Sequence, residues 1–512
     1  MIELKDQNVL VLGLGVSGLA MALWCVRQGA LVTVADTRAN PPYLTELQTR
    51  APQANFICGA LDTSLLAGRI YGAIFKSPGL SPASCASFFV ADAGQNTRLN
   101  GELDLFVSAL GDLKTLQGYS PAVIAITGTN GKTTVTALTG QLIERCGKSV
   151  AVAGNIGPSL LDTLADRLDR NQLPEVWVLE LSSFQLEGVE VFEPTAAAVL
   201  NISQDHLDWH GTMQDYIAAK SRVLGSSGLM VLNRDDPLVT GMAAEQATPQ
   251  GLKDRKSKNA AKPRDVVTFG AGMPQRPGDF GIEEVNGMAW LVRAQDADSL
   301  RRKRNEAPDE LFIQRLIPAD ALRIRGRHNA VNALTALALA ASAGCALAPM
   351  LFGLREYRGE PHRVELVTTL NGVEFFDDSK GTNVGATVAA LTGLGAERKV
   401  VVILGGDGKG QDFTPLAAPV AKFVRTVVLI GRDASQIALA LQSTGVPLLN
   451  ASSMSEAVTQ ANRAAHAGDA VLMSPACASF DMFDNYPHRA AVFREAVKSL
   501  ADAAGLMLEG QL

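Results

Sequence analysis

Val123-Ile124-Ala125-Ile126-Thr127-Gly128-Thr129-Asn130-Gly131-Lys132-Thr133-Thr134 decides how this chain is read. The β-branched apolar run predicts a buried strand, the two glycines a tight loop, and Thr133-Thr134 the opening of a helix. Such a strand–loop–helix aims backbone N–H groups and the positive helix end at an anion. Lys132 adds a mobile cation for outer phosphates, and the Thr133 hydroxyl offers a ligand to Mg²⁺. The usual spacing is GxxxxGK[ST]. With Gly128 so close to Gly131, TGTNGKTT is a shortened variant. A chance glycine turn explains it less well, because strand, loop, Lys-Thr and helix fall in the right order.

Downstream, the strand Ser149 to Ala153 runs into Gly154-Asn155. Val176 to Leu181 is an apolar strand carrying Glu180 near its end, where phosphoryl transfer needs a metal-binding acid. Ala196 to Ile202 delivers Asp205-His206 to the same edge, and a helix with Tyr216, Lys220 and Arg222 follows. Taken alone, His206 reads more simply as a satisfied loop histidine. Lysines and arginines crowd the stretch 250–305, which reads as solvated insertion around a strand pair, Val266 to Gly270 and Met288 to Val292. Asn329 and Asn332 share one helix face at the start of an alanine-rich run. That run, Ala333 to Leu354, is divided by Gly344 and Pro349 and reads as two buried helices rather than a membrane span.

Upstream, Asn8 to Leu12 is a strand, followed by Gly13-Leu14-Gly15-Val16-Ser17-Gly18, a helix to Gln28, and a strand ending at Asp36. This βαβ pattern with GxGxxG is weak evidence for a dinucleotide, and the same geometry can hold a UDP group with its pyrophosphate near the helix start. The turn Lys76-Ser77-Pro78-Gly79 lies at another strand end, and Gly111 to Pro121 reads as a linker. Beyond Glu360, four strands end in polar loops at Asp377-Asp378-Ser379-Lys380, Gly405 to Gly410, Gly431-Arg432 and Ser474 to Phe480. Four such loops in succession argue for a binding edge.

At 512 residues the chain holds about three domains, at ~150 residues each. A net charge of −6 argues against a general nucleic-acid binder. Six scattered cysteines without a CxxC suit reduced core thiols and a cytoplasmic location, and the amino terminus does not read as a signal peptide.

Together, TGTNGKTT (127–134 with its leading Thr), LELSSFQLE (179–187), NISQDHLDWH (201–210), GRHNAVNAL (326–334), PHR (361–363), DDSKGTN (377–383), GGDGKGQDF (405–413) and SPACASFD (474–481) resemble the Mur ligases over essentially the whole chain. GLGVSG, the DSK-x-TN box and SPACAS most resemble the members that add D-glutamate to UDP-N-acetylmuramoyl-L-alanine. The resemblance implies an α/β fold of three domains. These are a Rossmann-like domain at 1–115, a central phosphate-loop domain at 116–359, and a C-terminal Rossmann-like domain at 360–512. It implies an ATP-dependent amide ligase of peptidoglycan precursor synthesis working through an acyl phosphate, with no nucleic acid, no membrane span and a monomeric chain.

The same resemblance assigns residues. Gly128, Thr129, Asn130, Gly131, Lys132, Thr133 and Thr134 would hold the ATP phosphates, Asn329 and Asn332 the adenine, and Arg363 and Asp378 the phosphate and ribose. Two Mg²⁺ sites would draw on Thr133, Glu180, His206 and a carbamylated Lys220; Lys132, Glu180, His206 and Lys220 form the catalytic set. Val16, Ser17, Asp36, Thr37, Arg38, Ser77, Pro78, Gly79, Asn155 and His206 would hold the UDP-sugar. Lys380, Thr382, Lys409, Ser479, Phe480 and Tyr486 would surround D-glutamate, with Tyr486 standing where phenylalanine is common. Two rival readings are a nicotinamide dehydrogenase built on GLGVSG, against which the phosphate loop counts, and a nucleotide-binding regulator without turnover, against which the joint presence of Lys132, Glu180, His206 and Lys220 speaks.

Overall fold

Alternating apolar strands and helices sort into four sheets among the described residues, which in this computed structural model are 2–86, 99–247, 264–296, 311–396, 398–503 and 505. The basic residues at 248–263 and 297–310 lie outside them.

The first sheet contains β1 (Asn8–Leu12), β2 (Leu31–Asp36), β3 (Asn55–Cys58), β4 (Ala73–Lys76) and β5 (Leu99–Asn100), all parallel in the order β3-β2-β1-β4-β5. Strand order reverses between β1 and β4, and open sheets of this kind bind ligands outside that point. The GLGVSG loop leaves β1 there and the Ser77–Gly79 turn leaves β4. The segment read as a linker is shorter than expected: the helix Glu102–Gln117 runs through Gly111 and stops at Gly118, whose φ of 70° suits a glycine cap. Phe106 of that helix meets Trp177 edge-on, ring centroids 5.0 Å apart, so the first two sheets share apolar core.

The central sheet is also parallel: β6 (Ala122–Thr127), β7 (Val150–Gly154), β8 (Val176–Glu180), β9 (Ala196–Val199), β10 (Leu229–Asn233) and β11 (Val266–Phe269), ordered β11-β10-β9-β6-β8-β7. Every residue of β8 and β9 is buried, as expected for strands covered on both faces. The helices Lys132–Arg145 and Arg327–Ser342 pack together on one face. A second helix, Leu347–Glu356, follows the alanine-rich one. Among the described residues no helix is long and apolar enough to cross a membrane.

One expectation is corrected. Val266–Phe269 and Met288–Asp296 are not a pair: the former is the parallel edge of the central sheet. The latter is β13, the middle strand of a small antiparallel sheet between β12 (Phe280–Val285) and β14 (Leu311–Pro318). Short apolar runs fix strand type but not partners, which are chosen by long-range packing.

The last sheet holds β15 (Glu365–Leu370), β16 (Val373–Asp377), β17 (Val400–Gly405), β18 (Val424–Ile430), β19 (Leu448–Asn450) and β20 (Ala470–Met473) in the order β15-β16-β20-β17-β18-β19. Only β15 runs antiparallel. The edge strands β15 and β19 escape the sequence reading because their half-exposed residues lack an apolar run. The inner strands β16, β20 and β17 place the Asp378, Ser474 and Gly406 loops side by side.

Candidate active site

The site is built around the loop that leaves β6. Gly131 caps the helix Lys132–Arg145 with φ 85°, and a Cβ there would stand 2.8 Å from Asn332 Oδ1. Only glycine lets the loop lie this close to the alanine-rich helix. Asn332 Nδ2 donates to Asn329 Oδ1 at 3.1 Å, so the two asparagines act as one polar patch beside the loop. Lys132 folds back, donating to the carbonyls of Gly128 (2.8 Å) and Thr129 (2.9 Å). Lys220, only 1 % exposed, donates to the same Gly128 carbonyl at 2.8 Å. Burial first, and then the neighbouring Lys132 charge, hold the Lys220 ammonium well below the ordinary lysine range. Thr129 Oγ1 accepts from the Ser203 N–H at 3.0 Å and meets Tyr216 Oη at 3.0 Å, which ties the loop to the elements carrying His206 and Lys220.

β8 sets Glu180 level with Ile126 of β6 and Gly154 of β7. One carboxylate oxygen accepts from Asn155 Nδ2 at 2.7 Å; the other is buried and has no hydrogen-bond partner among the described residues. A buried carboxylate oxygen left open beside two lysines fits a cation ligand better than a core accident. His206 adopts a left-handed φ of 55° at the start of the short helix Leu207–His210, with Nε2 3.5 Å from Asp205 Oδ2. Burial lowers its imidazole pKa, which favours the neutral, ligand-competent form. Phe184 packs edge-on against it, centroids 4.7 Å apart.

The C-terminal sheet reaches into this site. Arg363 Nη2 donates to Thr133 Oγ1 at 2.5 Å. Asp378 accepts from Ser474 Oγ at 2.6 Å, and burial raises its carboxyl to about 7. Asn130, Asn329, Asn332, Arg363 and Asp378 line one cavity between the two sheets. Lys380 Nζ donates to Tyr486 Oη at 2.9 Å and lies 4.1 Å from its ring centroid. Thr382 is half-buried, Ser479 buried, Lys409 exposed with φ 51°, and Phe480 exposed. A bridge between Asp407 and Ala478 joins the loops of Lys409 and Ser479. Lys380 contributes to the field at Lys132, and Lys409 to the field at His206, so the two edges face each other.

The first sheet carries most of the residues read as the UDP-sugar site. Asp36 accepts from the Leu14 N–H (2.7 Å) and is clasped by Arg38 through Nε (2.9 Å) and Nη2 (2.8 Å), which hold its carboxyl down at about 2. Thr37 and Val16 are exposed beside them, while Ser17 faces the buried carboxyl of Glu102. Ser77 is buried under the GLGVSG loop, and Pro78 and Gly79 open outward. Lys76, just before them, lies 5.3 Å from the Trp209 ring, so this turn abuts the His206–His210 segment. Asn155, just past the end of β7, is held by Glu180.

Three residues that organise the site were not singled out from sequence: Asn383, Asp205 as a partner of Asn383, and Arg489. Arg489 is fully buried and donates to the carbonyls of Cys477 (3.1 Å) and Ser379 (2.7 Å), binding two loops together. The DDSKGTN motif carried Asn383 and the NISQDHLDWH motif carried Asp205, without pairing them; no motif carried Arg489.

Family models match three successive parts of the chain: the Mur ligase MurD-like N-terminal domain at residues 7–97, the Mur ligase middle domain at 126–340, and the Mur ligase glutamate ligase domain at 362–477. The chain belongs to the Mur ligase family. This Mur ligase is 65 % identical over 508 residues to the UDP-N-acetylmuramoylalanine–D-glutamate ligase of Albidiferax ferrireducens, covering 99 % of each chain. It is 53 % identical to the protein of the same name from Polaromonas sp., covering 99 % of this chain and 100 % of that one. Among solved structures it resembles MurF from Acinetobacter baumannii (TM-score 0.56, 18 % identity, 96 % and 91 % covered). It also resembles MurC from Thermotoga maritima (TM-score 0.54, 19 % identity, 97 % and 100 % covered). At these identities the structures support the shared fold alone.

Proposed function

We infer that this chain is an ATP-dependent ligase that joins D-glutamate to UDP-N-acetylmuramoyl-L-alanine in peptidoglycan precursor synthesis. The observation that carries the reading is the meeting of two cationic edges, Lys132 with Lys220 on one and Lys380 with Lys409 on the other, in a chain 65 % identical to a ligase of that name. A carboxylate is a poor electrophile, so the alanyl carboxylate first takes the γ-phosphoryl group of ATP, releasing ADP. The resulting acyl phosphate is then attacked by the glutamate amine, and phosphate leaves as the amide forms.

The work of the protein is positioning and charge neutralisation. The loop 128–134 cradles phosphates with its N–H groups, and Lys132 exchanges its two carbonyl partners for phosphate oxygens. Asn329, Asn332, Arg363 and Asp378 line the cavity suited to the nucleoside end. The UDP-sugar lies along the Gly13–Gly18 and Ser77–Gly79 loops, and Lys380, Thr382, Lys409, Ser479, Phe480 and Tyr486 surround the amino acid. Its two carboxylates call for the lysines and hydroxyls that these loops carry. Thr133, the open oxygen of Glu180, neutral His206 and Lys220 suit two Mg²⁺ ions. Bound there, Mg²⁺ would neutralise phosphate and acyl oxygens. Lys220 suits carbamylation: its lowered pKa supplies the neutral amine that adds CO₂ and sheds a proton, turning a repelling ammonium into an anionic ligand.

The test is ADP release against a panel of UDP-muramoyl acceptors and amino acids. Release that requires UDP-N-acetylmuramoyl-L-alanine and D-glutamate together is the expected result; equal release with L-glutamate would sink the specificity.

A further inference from the structure

Asn383 stands at the joint between the C-terminal sheet and the phosphate loop, and every polar atom of its side chain is committed. Its Nδ2 donates to Asn130 Oδ1 at 3.1 Å and to Asp205 Oδ2 at 3.2 Å, both on loops of the central sheet. Its Oδ1 accepts from the Ala386 N–H at 2.9 Å and so caps the helix Val384–Gly395. The backbone of Asn130 is already gripped by Asn201, whose Oδ1 accepts from its N–H at 2.8 Å and whose Nδ2 donates to its carbonyl at 3.0 Å. Asn383 therefore fixes the one part of Asn130 that Asn201 leaves free. Asp205, its second partner, sits 3.5 Å from the His206 imidazole. The approach is close: a Cβ on Gly385 would stand 3.0 Å from Ser203 Oγ and 3.1 Å from Asn130 Nδ2.

We propose that Asn383 is a positioning residue that couples the seating of the C-terminal sheet to the set of the phosphate loop and of His206. Its two N–H donors report that the amino-acid-binding loops are in place, because they reach Asn130 and Asp205 only when the helix Val384–Gly395 rests against the loop, and are left to water otherwise. The donors are shared between a neutral amide and a carboxylate, so the bridge is partly charge-assisted. The proposal rests on the ligase reading for its effect on turnover, but not for its effect on closure.

Asparagine, serine and aspartate all cap helices, whereas only asparagine adds two N–H donors that reach past the cap; the short serine hydroxyl is occupied at it. Asn383→Ser should keep the cap and lose the bridge. Asn383→Asp should keep the cap and set a carboxylate against Asp205. The expected result is a kcat lowered about tenfold or more in Asn383→Asp and less in Asn383→Ser. Melting temperatures should stay within about 2 °C of wild type, and binding of the UDP-sugar substrate alone should be unchanged. Gly385→Ala, a change that favours a helix, should also lower kcat, by steric separation. Small-angle scattering of the unliganded chain reads closure without turnover, and Asn383→Asp should enlarge the radius of gyration. A kcat within about twofold of wild type for both capping variants overturns the proposal. So does a loss that merely follows the melting temperature, or an unchanged radius in Asn383→Asp. A wild-type chain that releases no ADP with D-glutamate would instead refute the ligase reading, leaving the scattering result to decide the bridge.

Discussion

Lys132 and Lys220 both donate to the carbonyl oxygen of Gly128, each at 2.8 Å. Two ammonium groups on one acceptor repel each other, and burial gives neither much water to disperse its charge. The arrangement is stable with the second lysine neutral, or with an anion between them. Lys132→Ala should reduce ADP release by about a thousandfold or more, since it removes charge from the phosphate site. Lys220→Ala should fall by about a hundredfold and recover in part when short carboxylates are added, because they can replace a carbamate. Steady-state ADP release with and without acetate or formate decides this, and absence of recovery would count against the carbamate.

Asp378 gives a pH dependence with a definite sign. Burial raises its carboxyl from the ordinary 3.8 to about 7, so the folded chain holds a proton that the unfolded chain has lost. Its contribution to stability is greatest below about pH 4 and declines as the pH rises to about 7. Asp378→Asn, which stays neutral, should flatten that part of the stability profile. Urea midpoints at intervals from pH 4 to 8 measure the difference between the two slopes.

Lys380 and Tyr486 form a donor pair facing the loops read as the amino-acid site. Lys380→Ala should raise the D-glutamate KM by tenfold or more, at about 1.5–3 kcal/mol for a charged hydrogen bond, with a much smaller change in the ATP KM. Tyr486→Phe should raise the D-glutamate KM only a few-fold, since the ring remains. Equal effects on both substrates would contradict the division of labour between the two edges.

Arg489 links stability to the site. Its guanidinium is fully buried, and burial lowers its pKa to about 10 despite the hydrogen bonds to Cys477 and Ser379. Arg489→Met fills most of the volume but strands two carbonyls, at about 1–3 kcal/mol each. A loss of about 2–4 kcal/mol in urea unfolding is expected, together with a raised D-glutamate KM as the Ser379 and Ser479 loops relax.

Asp36 and Arg38 were read from sequence as neighbours on a sugar-nucleotide site, and the structure shows them locked to each other and to Leu14. Asp36→Asn should raise the KM for the UDP-sugar several-fold and leave the ATP KM unchanged, because the loop it braces belongs to the first sheet. Initial rates with each substrate varied in turn separate the two.

The chain's order of residues determined the strand, loop and helix around Lys132, the acid at the end of β8, and the parallel α/β character of three sheets. Those features rest on local periodicity and turn chemistry, which act between residues close in sequence. Tertiary structure decided which loops meet. It paired Asn383 with Asp205 across 178 positions and Arg363 with Thr133 across 230, moved Val266–Phe269 to the central sheet, and set Asn155 on Glu180. Such contacts depend on how whole sheets pack, and a buried donor takes whichever acceptor that packing brings within about 3 Å.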